Sequence, residues 1–195
     1  YKRQIMIDTL ESNRAKAEGL SIIKIVEENL IAPKKIASLG LDRTYALMTL
    51  HRPSNVDHKE ILEPLVNFLV DKIASTLTII WTVHPRTEKQ LKEFDLWNKL
   101  VENPDIYLLY PLGYHEMLKL NMQAQIMLTD SGGLQEECTV LGTPCLTMRW
   151  NTERPITLRE HGGASVLVGN NIERIRKEFM QTLSKQRKPE RPELW

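Results

Sequence analysis

Residues 125–148 read QIMLTDSGGLQEECTVLGTPCLTM, and this stretch decides the fold. It begins with an apolar run of strand length, passes through a polar turn into a helical pattern over 133–141, and reaches a second apolar run at 145–148. Gly142 follows the helical pattern, where glycine commonly ends a helix. Strand, helix and strand in this order predict two parallel strands joined by a right-handed crossover.

Short apolar runs rich in Ile, Leu, Val or Thr alternate with helical patterns along most of the chain. Strands that read as continuous apolar runs are typical of parallel sheets covered by helices on both faces. The pattern therefore predicts an α/β fold with a doubly wound, Rossmann-like parallel sheet. Capping-box spacings predict helix starts at Asp57 and Thr87. Further helices are predicted over 114–122 and 171–183, and strands over 45–50, 77–83, 106–110, 125–129, 145–148 and 165–168.

The sequence pattern divides the chain into three parts. Residues 1–35 carry a mixed helical pattern that ends in a proline and two lysines, which predicts a helical interdomain segment. Residues 36–184 hold the alternating strands and helices and form the predicted Rossmann-like domain. Residues 185–195, with four basic residues and two prolines, form a tail without periodicity. The chain begins at Tyr1, directly before a helical pattern, and we expect a fragment with further sequence upstream.

Charge, hydropathy and cysteine content argue against several classes of partner and site. Lysine plus arginine number 26 against 25 aspartate plus glutamate, so no bulk positive field favours nucleic acid or an anionic membrane. No apolar run approaches the roughly 20 residues of a membrane span, and we expect a cytoplasmic location. Cys138 and Cys145 match neither a zinc knuckle nor a redox pair, and we expect buried, reduced thiols that the function does not use.

Polar turns follow four of the predicted strands. In open parallel sheets, ligands bind at the carboxyl ends of the strands, so these turns are the first candidates for a site. The turns are rich in histidine and arginine, which predicts a local anion site at this edge. They read HRPSN at 51–55, HPRT at 84–87, YPLG at 110–113 and TDSGG at 129–133.

The turn from Ser131 to Gly133 precedes a predicted helix, where unpaired backbone N–H groups and the helix dipole favour a phosphate. The alternative is an ordinary tight turn in which Ser131 or Asp130 caps the helix. Glu136 and Glu137 follow one turn later in the same helix. They are either acceptors for the hydroxyl groups of a ribose or part of a solvated acidic face.

Two histidines and three arginines at this edge are further candidates. His51 is a general acid or base, a phosphate donor or a structural histidine, and its position after a strand, beside Arg52, favours a functional role. The same argument applies to His84 with less force. Arg149 and Arg154 either clamp phosphates or pair with nearby acidic residues. The spacing produces no catalytic triad and no metal-ligand cluster, and we expect no metal.

Five strings occur in this order: TLHRPSNVD at 49–57, HPRT at 84–87, TDSGGLQEE at 129–137, LGTPC at 141–145 and TERP at 152–155. Together they resemble the signature of the UDP-N-acetylglucosamine 2-epimerase family. The resemblance implies a glycosyltransferase-B-like enzyme of two Rossmann-like domains, of which this chain is the second. Family members interconvert UDP-N-acetylglucosamine and UDP-N-acetylmannosamine by anti elimination of UDP, which leaves 2-acetamidoglucal, followed by syn re-addition.

The resemblance also bears on cofactors, activity and assembly. It implies no cofactor. The acidic residues that move the proton at C2 belong to the first domain, so the fragment alone is expected to be inactive. Family members resemble dimers assembled through that first domain, which implies a homodimer for the full-length protein and a monomeric fragment.

Particular residues match family positions. His51 matches the catalytic-site histidine near the phosphates, and Glu137 matches the residue that holds the uridine ribose. Leu112 and Met117 stand near the uracil, where family members show a glutamine and an aromatic residue. The remaining matches are Ser131, Gly132 and Gly133 at the diphosphate, Arg154 at the nucleotide, and Arg52 and His84 at a regulatory or phosphate-contacting position.

Alternative functions remain open from the sequence. One is a UDP-sugar glycosyltransferase of the same architecture, although the SGGLQEE string favours an epimerase. Another is a non-catalytic domain that binds a nucleotide sugar. A hydrolysing epimerase, or an epimerase that acts on a modified uronic acid sugar, is also compatible with the residues present.

Overall fold

The computed structural model describes residues 2–34 and 44–184. Within these residues six parallel strands form one sheet in the order β3-β2-β1-β4-β5-β6, which confirms the predicted doubly wound fold. The chain order reverses between β1 and β4, so the topological switch point lies between these two strands. The predicted tail at 185–195 lies outside the described residues. The strands are β1 Tyr45–Thr49, β2 Thr78–Thr82, β3 Ile106–Leu109, β4 Ile126–Thr129, β5 Cys145–Thr147 and β6 Ser165–Leu167.

The helices predicted over 114–122, 133–141 and 171–183 are present, with shifts of one residue at their ends. The helical pattern within residues 1–35 forms two helices, and the short helices Pro53–Val56 and Trp97–Val101 were not predicted. No helix in residues 2–34 and 44–184 is both long and apolar enough to cross a bilayer. Short 3-10 turns occur at Pro155–Thr157 and Arg159–His161. The α-helices are α1 Lys2–Glu18, α2 Ile22–Asn29, α3 Pro53–Val56, α4 Lys59–Phe68, α5 Pro85–Glu93, α6 Trp97–Val101, α7 Tyr114–Gln123, α8 Gly132–Leu141 and α9 Ile172–Leu183.

The sheet buries both of its faces because successive side chains in a strand point to opposite sides. Met48, Trp81 and Leu128 face the side covered by α4, α5, α6 and α9. Their neighbours Leu47 and Ile80 face the side covered by α2, α7 and α8. Each fully buried side chain of this size stabilises the fold by about 1.5–3 kcal/mol relative to the same side chain in water. These two cores hold the carboxyl ends of the strands in fixed register.

The first two helices pack on the domain. Leu10 and Ala17 of α1 are buried against Leu118 of α7. Val26 of α2 lies in the core beside β3, and the backbone N–H of Ile31 donates to the carbonyl of Leu108. Whether residues 1–35 also form an interdomain segment stays a prediction. Both thiols are free and buried, as expected for Cys138 and Cys145.

The two predicted capping boxes are wrong. Asp57 ends α3, and α4 begins after His58. His84 is the residue before α5, and its ring Nδ1 accepts a hydrogen bond from the backbone N–H of Arg86. Proline at the first helical position fixes where α5 begins, two residues before the predicted start at Thr87. The Thr87 hydroxyl donates instead to the carbonyl of Leu50.

Candidate functional site

A buried aspartate lies at the centre of the carboxyl edge. Asp130 follows β4 directly, and none of its surface is exposed. Its carboxylate accepts hydrogen bonds from the backbone N–H groups of His51 and Arg52, at 3.1 and 2.8 Å, and from Asn55 Nδ2 at 3.1 Å. Burial alone raises the pKa of Asp130, but hydrogen bonds from His51, Arg52 and Asn55 outweigh it, and the pKa lies below the ordinary value. Asp130 therefore stays ionised and joins the turn after β1 to the turn after β4.

Two histidines point their rings toward one another at this edge. His51 Nδ1 lies 2.8 Å from Asp130 Oδ1, and this hydrogen bond raises the pKa of His51. The ring centroids of His51 and His84 are 5.7 Å apart. Both rings line a cavity of about 160 Å³, together with Leu112 and Met117. The structure thus brings four of the sequence candidates into one cavity at the ends of β1, β2 and β3.

The start of α8 lies on the other side of the switch point. Ser131 precedes this helix, and its side chain makes no capping hydrogen bond within the described residues. Its backbone N–H donates instead to Thr129 Oγ1 at 3.0 Å. The N–H groups in the first turn of a helix have no partner inside the helix, so Gly132 and Gly133 present donors to a ligand. The structure supports the interpretation of this turn as an anion cradle.

Arg154 covers the first glycine of α8. A Cβ atom built on Gly132 would lie 2.2 Å from Arg154 Nη1, whereas one on Gly133 would meet only Ser131 Oγ, at 3.9 Å. Gly132 is therefore required for the close approach of the guanidinium, because any side chain there would displace it. Glu153 Oε1 lies near the same point, 3.1 Å from the Cβ position, so the guanidinium stands at the helix N-terminus with a carboxylate beside it.

A network of ion pairs orients Arg154. Its Nε lies 2.7 Å from Glu136 Oε1, and its Nη1 lies 3.1 Å from Glu153 Oε1. Glu153 also pairs with Arg149, at 2.6 Å, and hydrogen bonds from Arg149 lower the pKa of Glu153 to about 2. Glu136 is buried, and its Oε2 has no hydrogen-bond partner within the described residues. Glu136 is thus a buried partner of Arg154, which corrects the alternative that it belongs to a solvated acidic face.

Glu137 differs from its neighbour. Burial and, to a smaller extent, the negative charge of Glu136 raise its pKa to about 7, against the side chain of Asn121, which lowers it. Burial raises the pKa of the Tyr114 phenol at the start of α7, and the nearby Glu137 carboxylate adds to this effect. Glu137 therefore has no cationic partner of its own in the described residues and is suited to accept hydrogen bonds from a neutral polyol.

Sequence reasoning located this edge but missed three of its residues. The sequence pattern indicates Asp130 only as a helix cap, and it assigns no role to Asn55 or Glu153. A polar residue directly after a strand and before a glycine pair was the one available signal for Asp130. Within the described residues no group of three or more His, Cys, Asp or Glu side chains is placed to hold a metal ion.

The sequence and the fold of this chain are similar to those of known proteins. The family profile described as UDP-N-acetylglucosamine 2-epimerase matches residues 4–194. A UDP-N-acetylglucosamine 2-epimerase of Methanocaldococcus jannaschii is 40% identical over 98% of this chain and 54% of its own length. The crystal structure of the M. jannaschii enzyme in complex with UDP-GlcNAc and UDP matches with a TM-score of 0.78 at 39% identity, over 96% of this chain and 48% of that chain.

A more distant likeness concerns the fold alone. The structure of an E. coli heptosyltransferase with ADP matches with a TM-score of 0.50 at 14% identity, over 74% of this chain and 46% of that chain. The chain spans about half the length of the curated relatives it matches. The α/β fold of this chain therefore matches about half of each of these longer proteins.

Proposed function

Because the chain belongs to the UDP-N-acetylglucosamine 2-epimerase family, we propose that it is the UDP-binding half of an enzyme that interconverts UDP-N-acetylglucosamine and UDP-N-acetylmannosamine. The observation that carries the proposal is the placement of Arg154 over Gly132 at the open start of α8. This arrangement supplies backbone donors and a guanidinium to one anionic group. The diphosphate of UDP is the group that we assign to it.

The nucleoside is assigned to the adjoining side chains. We assign Glu137 to the two ribose hydroxyl groups, since the resemblance implies that role and no salt bridge to Glu137 occurs among the described residues. Leu112 and Met117 line the cavity at the ends of β1, β2 and β3, and we assign them to apolar packing against the uracil. Ser131 is assigned to the same diphosphate site, because its hydroxyl makes no capping hydrogen bond to α8 among the described residues.

The reaction requires the UDP group to leave as an anion and to wait while the glycal forms. In the elimination, the C1–O bond breaks, its electron pair leaves with UDP, and the proton at C2 passes to a base in the other half of the enzyme. Donors at the diphosphate lower the barrier because they stabilise the charge that develops on the leaving group. His51 is the group of this chain that we assign to the reacting end of the diphosphate.

The remaining assignments concern organisation. We propose residues 36–184 as the nucleotide-binding domain and residues 1–35 as the segment that leads to the other half. The full-length enzyme is proposed to be a cytoplasmic homodimer that needs no metal or redox cofactor. Arg52 and His84 are proposed to contact phosphate or a second substrate molecule. The Arg52 Nε already donates to the carbonyl of Asp130, so this residue also has a structural role.

Calorimetric titration of the chain with UDP and UMP tests the proposal. We expect UDP to bind at least about tenfold more tightly than UMP, because charge-assisted hydrogen bonds to the second phosphate are worth roughly 1.5–3 kcal/mol. Ser131→Ala and Arg154→Ala are expected to reduce this preference, whereas Glu137→Gln is expected to weaken both ligands equally, since they share the ribose. Ser75→Ala, on an exposed turn, is the matched control. A folded chain that binds neither ligand contradicts the proposal.

Substitution of Gly132 with alanine provides a second test. The added Cβ must push Arg154 away from Glu136, so we expect the free energy of unfolding to fall by about 1 kcal/mol and UDP binding to weaken about tenfold. Gly133→Ala is the matched variant, because its Cβ meets only ordinary contacts. It is expected to raise the free energy of unfolding by about 0.5–1 kcal/mol, the usual gain for alanine over glycine in a helix. Chemical denaturation measures both, and equal stability effects would show that Arg154 does not cover Gly132.

A further inference from the structure

We propose that Asp130 is the positioning residue for His51: it fixes the ring so that Nε2 faces the bound diphosphate and Nδ1 always carries a proton. The inference rests on the proposed function for its ligand, but its geometry belongs to this chain alone. Asp130 contacts no part of the proposed ligand. It acts through the imidazole.

The contact between the two residues is direct. His51 Nδ1 lies 2.8 Å from Asp130 Oδ1, and the backbone N–H of His51 donates to the same carboxylate at 3.1 Å. Asp130 is fully buried, whereas 42% of the His51 side chain is exposed. Because the two ring nitrogens lie on different sides of the imidazole, the exposed edge is the one that carries Nε2. Nε2 has no hydrogen-bond partner in residues 2–34 and 44–184.

The carboxylate cannot turn to follow the ring. Its second oxygen is held by the backbone N–H of Arg52 at 2.8 Å and by Asn55 Nδ2 at 3.1 Å. Asn55 Nδ2 also donates to the carbonyl of Met148, so the anchor reaches the end of β5. Thr49 and Thr129 join β1 to β4 just below, with 2.7 Å between their hydroxyl oxygens. The ring is therefore attached to three strands through one buried carboxylate.

Charged and titratable groups around His51 determine what its free nitrogen offers. Asp130 faces it from β4, Arg52 follows it in the chain, and the His84 ring faces it from the turn after β2. An ionised Asp130 requires a proton on Nδ1, so Nε2 accepts in the neutral ring and donates in the charged ring. His84 is held in the opposite sense, because its Nδ1 accepts from the backbone N–H of Arg86 at 3.1 Å. The neutral His84 ring therefore carries its proton on Nε2.

The consequence concerns the departing UDP. A histidine beside the leaving group contributes most when Nε2 already bears a proton and is already aimed, since no reorganisation is then needed during the reaction. A buried carboxylate on Nδ1 fixes the aim of the ring, as it does in the catalytic triads of hydrolases, where it sets the tautomer. It also favours the cationic ring, which is the form in which Nε2 bears a proton. The same residue types serve here without a nucleophilic serine.

Nitrogen NMR of the imidazole rings tests the inference without any ligand. We expect the neutral His51 ring of the unaltered chain to be protonated on Nδ1, with His51→Gln used to assign its signals. In Asp130→Asn, the amide oxygen must face Arg52 N–H and Asn55, so the amide NH₂ faces His51 Nδ1. The proton is then expected to move to Nε2, and the pKa of His51 to fall by about one to three units. Asp57→Asn removes a carboxylate of the same edge that pairs with Arg86, and is expected to leave His51 unchanged.

The outcomes separate this inference from the proposed function. A neutral His51 ring protonated on Nε2 in the unaltered chain overturns the positioning role, even if Asp130→Asn fails to fold. Equal pKa values of His51 before and after Asp130→Asn also overturn it. Failure of the unaltered, folded chain to bind UDP overturns the proposed function instead, and leaves the NMR result to decide the role of Asp130.

Discussion

Replacement of Gly163 with alanine is expected to lower the free energy of unfolding by about 3 kcal/mol, at the upper end of overpacking effects. A Cβ atom at this position would lie 2.1 Å from the carbonyl oxygen of Thr157 and 2.2 Å from its carbonyl carbon. These are backbone atoms, so rotation of a side chain cannot relieve the overlap. The segment before β6 or the 3-10 turn at Pro155–Thr157 must move instead.

Thermal or chemical denaturation measures this effect. For a domain of this size, a loss of about 3 kcal/mol corresponds to a decrease in Tm of roughly 6–12 °C. Gly19→Ala is the matched control, since its added Cβ would make only ordinary contacts at 3.7 and 3.9 Å. A Gly163→Ala variant as stable as Gly19→Ala would show that the chain accommodates the extra atom and that the predicted close approach is wrong.

Gly163→Ala is also expected to change the geometry of the proposed nucleotide site. The Thr157 hydroxyl accepts a hydrogen bond from Gln135 Nε2 and donates to the carbonyl of Arg154 at 2.7 Å. Gln135 lies in α8, and Arg154 lies over Gly132 at the start of that helix. A shift of Thr157 is therefore expected to displace Arg154 and the start of α8, which are the groups proposed to bind the diphosphate. The conformational requirement at Gly163 thus links the stability of the fold to the geometry of the site.

The local sequence was sufficient to predict the strands, most of the helices and the edge of the sheet at which the site residues lie. Apolar runs of strand length and helices of regular period reflect burial on both faces, and that burial is repeated in every βαβ unit. The predicted capping boxes at Asp57 and Thr87 were wrong because the start of each helix depends on where the preceding strand ends. Pro85 and His84 define the start of α5, whereas Asp57 pairs with Arg86, which is 29 residues further along the chain. A spacing of three residues cannot distinguish these cases.

The partners of the site residues could not be predicted for a different reason. His51 and Asp130 are 79 residues apart and meet only because β1 and β4 are neighbours at the switch point. Arg154 and Glu136 meet because the loop after β5 folds back over α8. Such pairs depend on strand order, which a single sequence does not encode locally. Sequence reasoning therefore identified which residues lie at the edge, but not which of them orient the others.

Relative to Glu137→Gln, the affinity of the unaltered chain for UDP-N-acetylglucosamine is expected to fall about tenfold for each pH unit below about 7, through the protonation of Glu137. Burial raises the pKa of this carboxyl to about 7 in the free protein. Ribose hydroxyl groups donate to the ionised form, so binding must lower this pKa. The sign follows: above pH 7 the carboxylate is ready, whereas below pH 7 binding must first remove a proton. The sugar nucleotide is the ligand of choice because its esterified diphosphate lacks the phosphate ionisation near pH 6 that free UDP has.

Calorimetry between pH 8 and pH 5.5 on the unaltered chain and on Glu137→Gln isolates this effect. The variant is expected to bind about tenfold more weakly at pH 8 and to lose the decrease below pH 7, since its amide does not titrate. His51 changes the affinity in the opposite direction. Its pKa is raised, it becomes cationic as the pH falls, and the cationic ring favours the anionic ligand. It is unchanged in both proteins, so their difference reports Glu137 alone. The same pH dependence in the two proteins would show that Glu137 does not bind the ribose. The proposed diphosphate site at the start of α8 would then be the part of the proposal that binding data could still support.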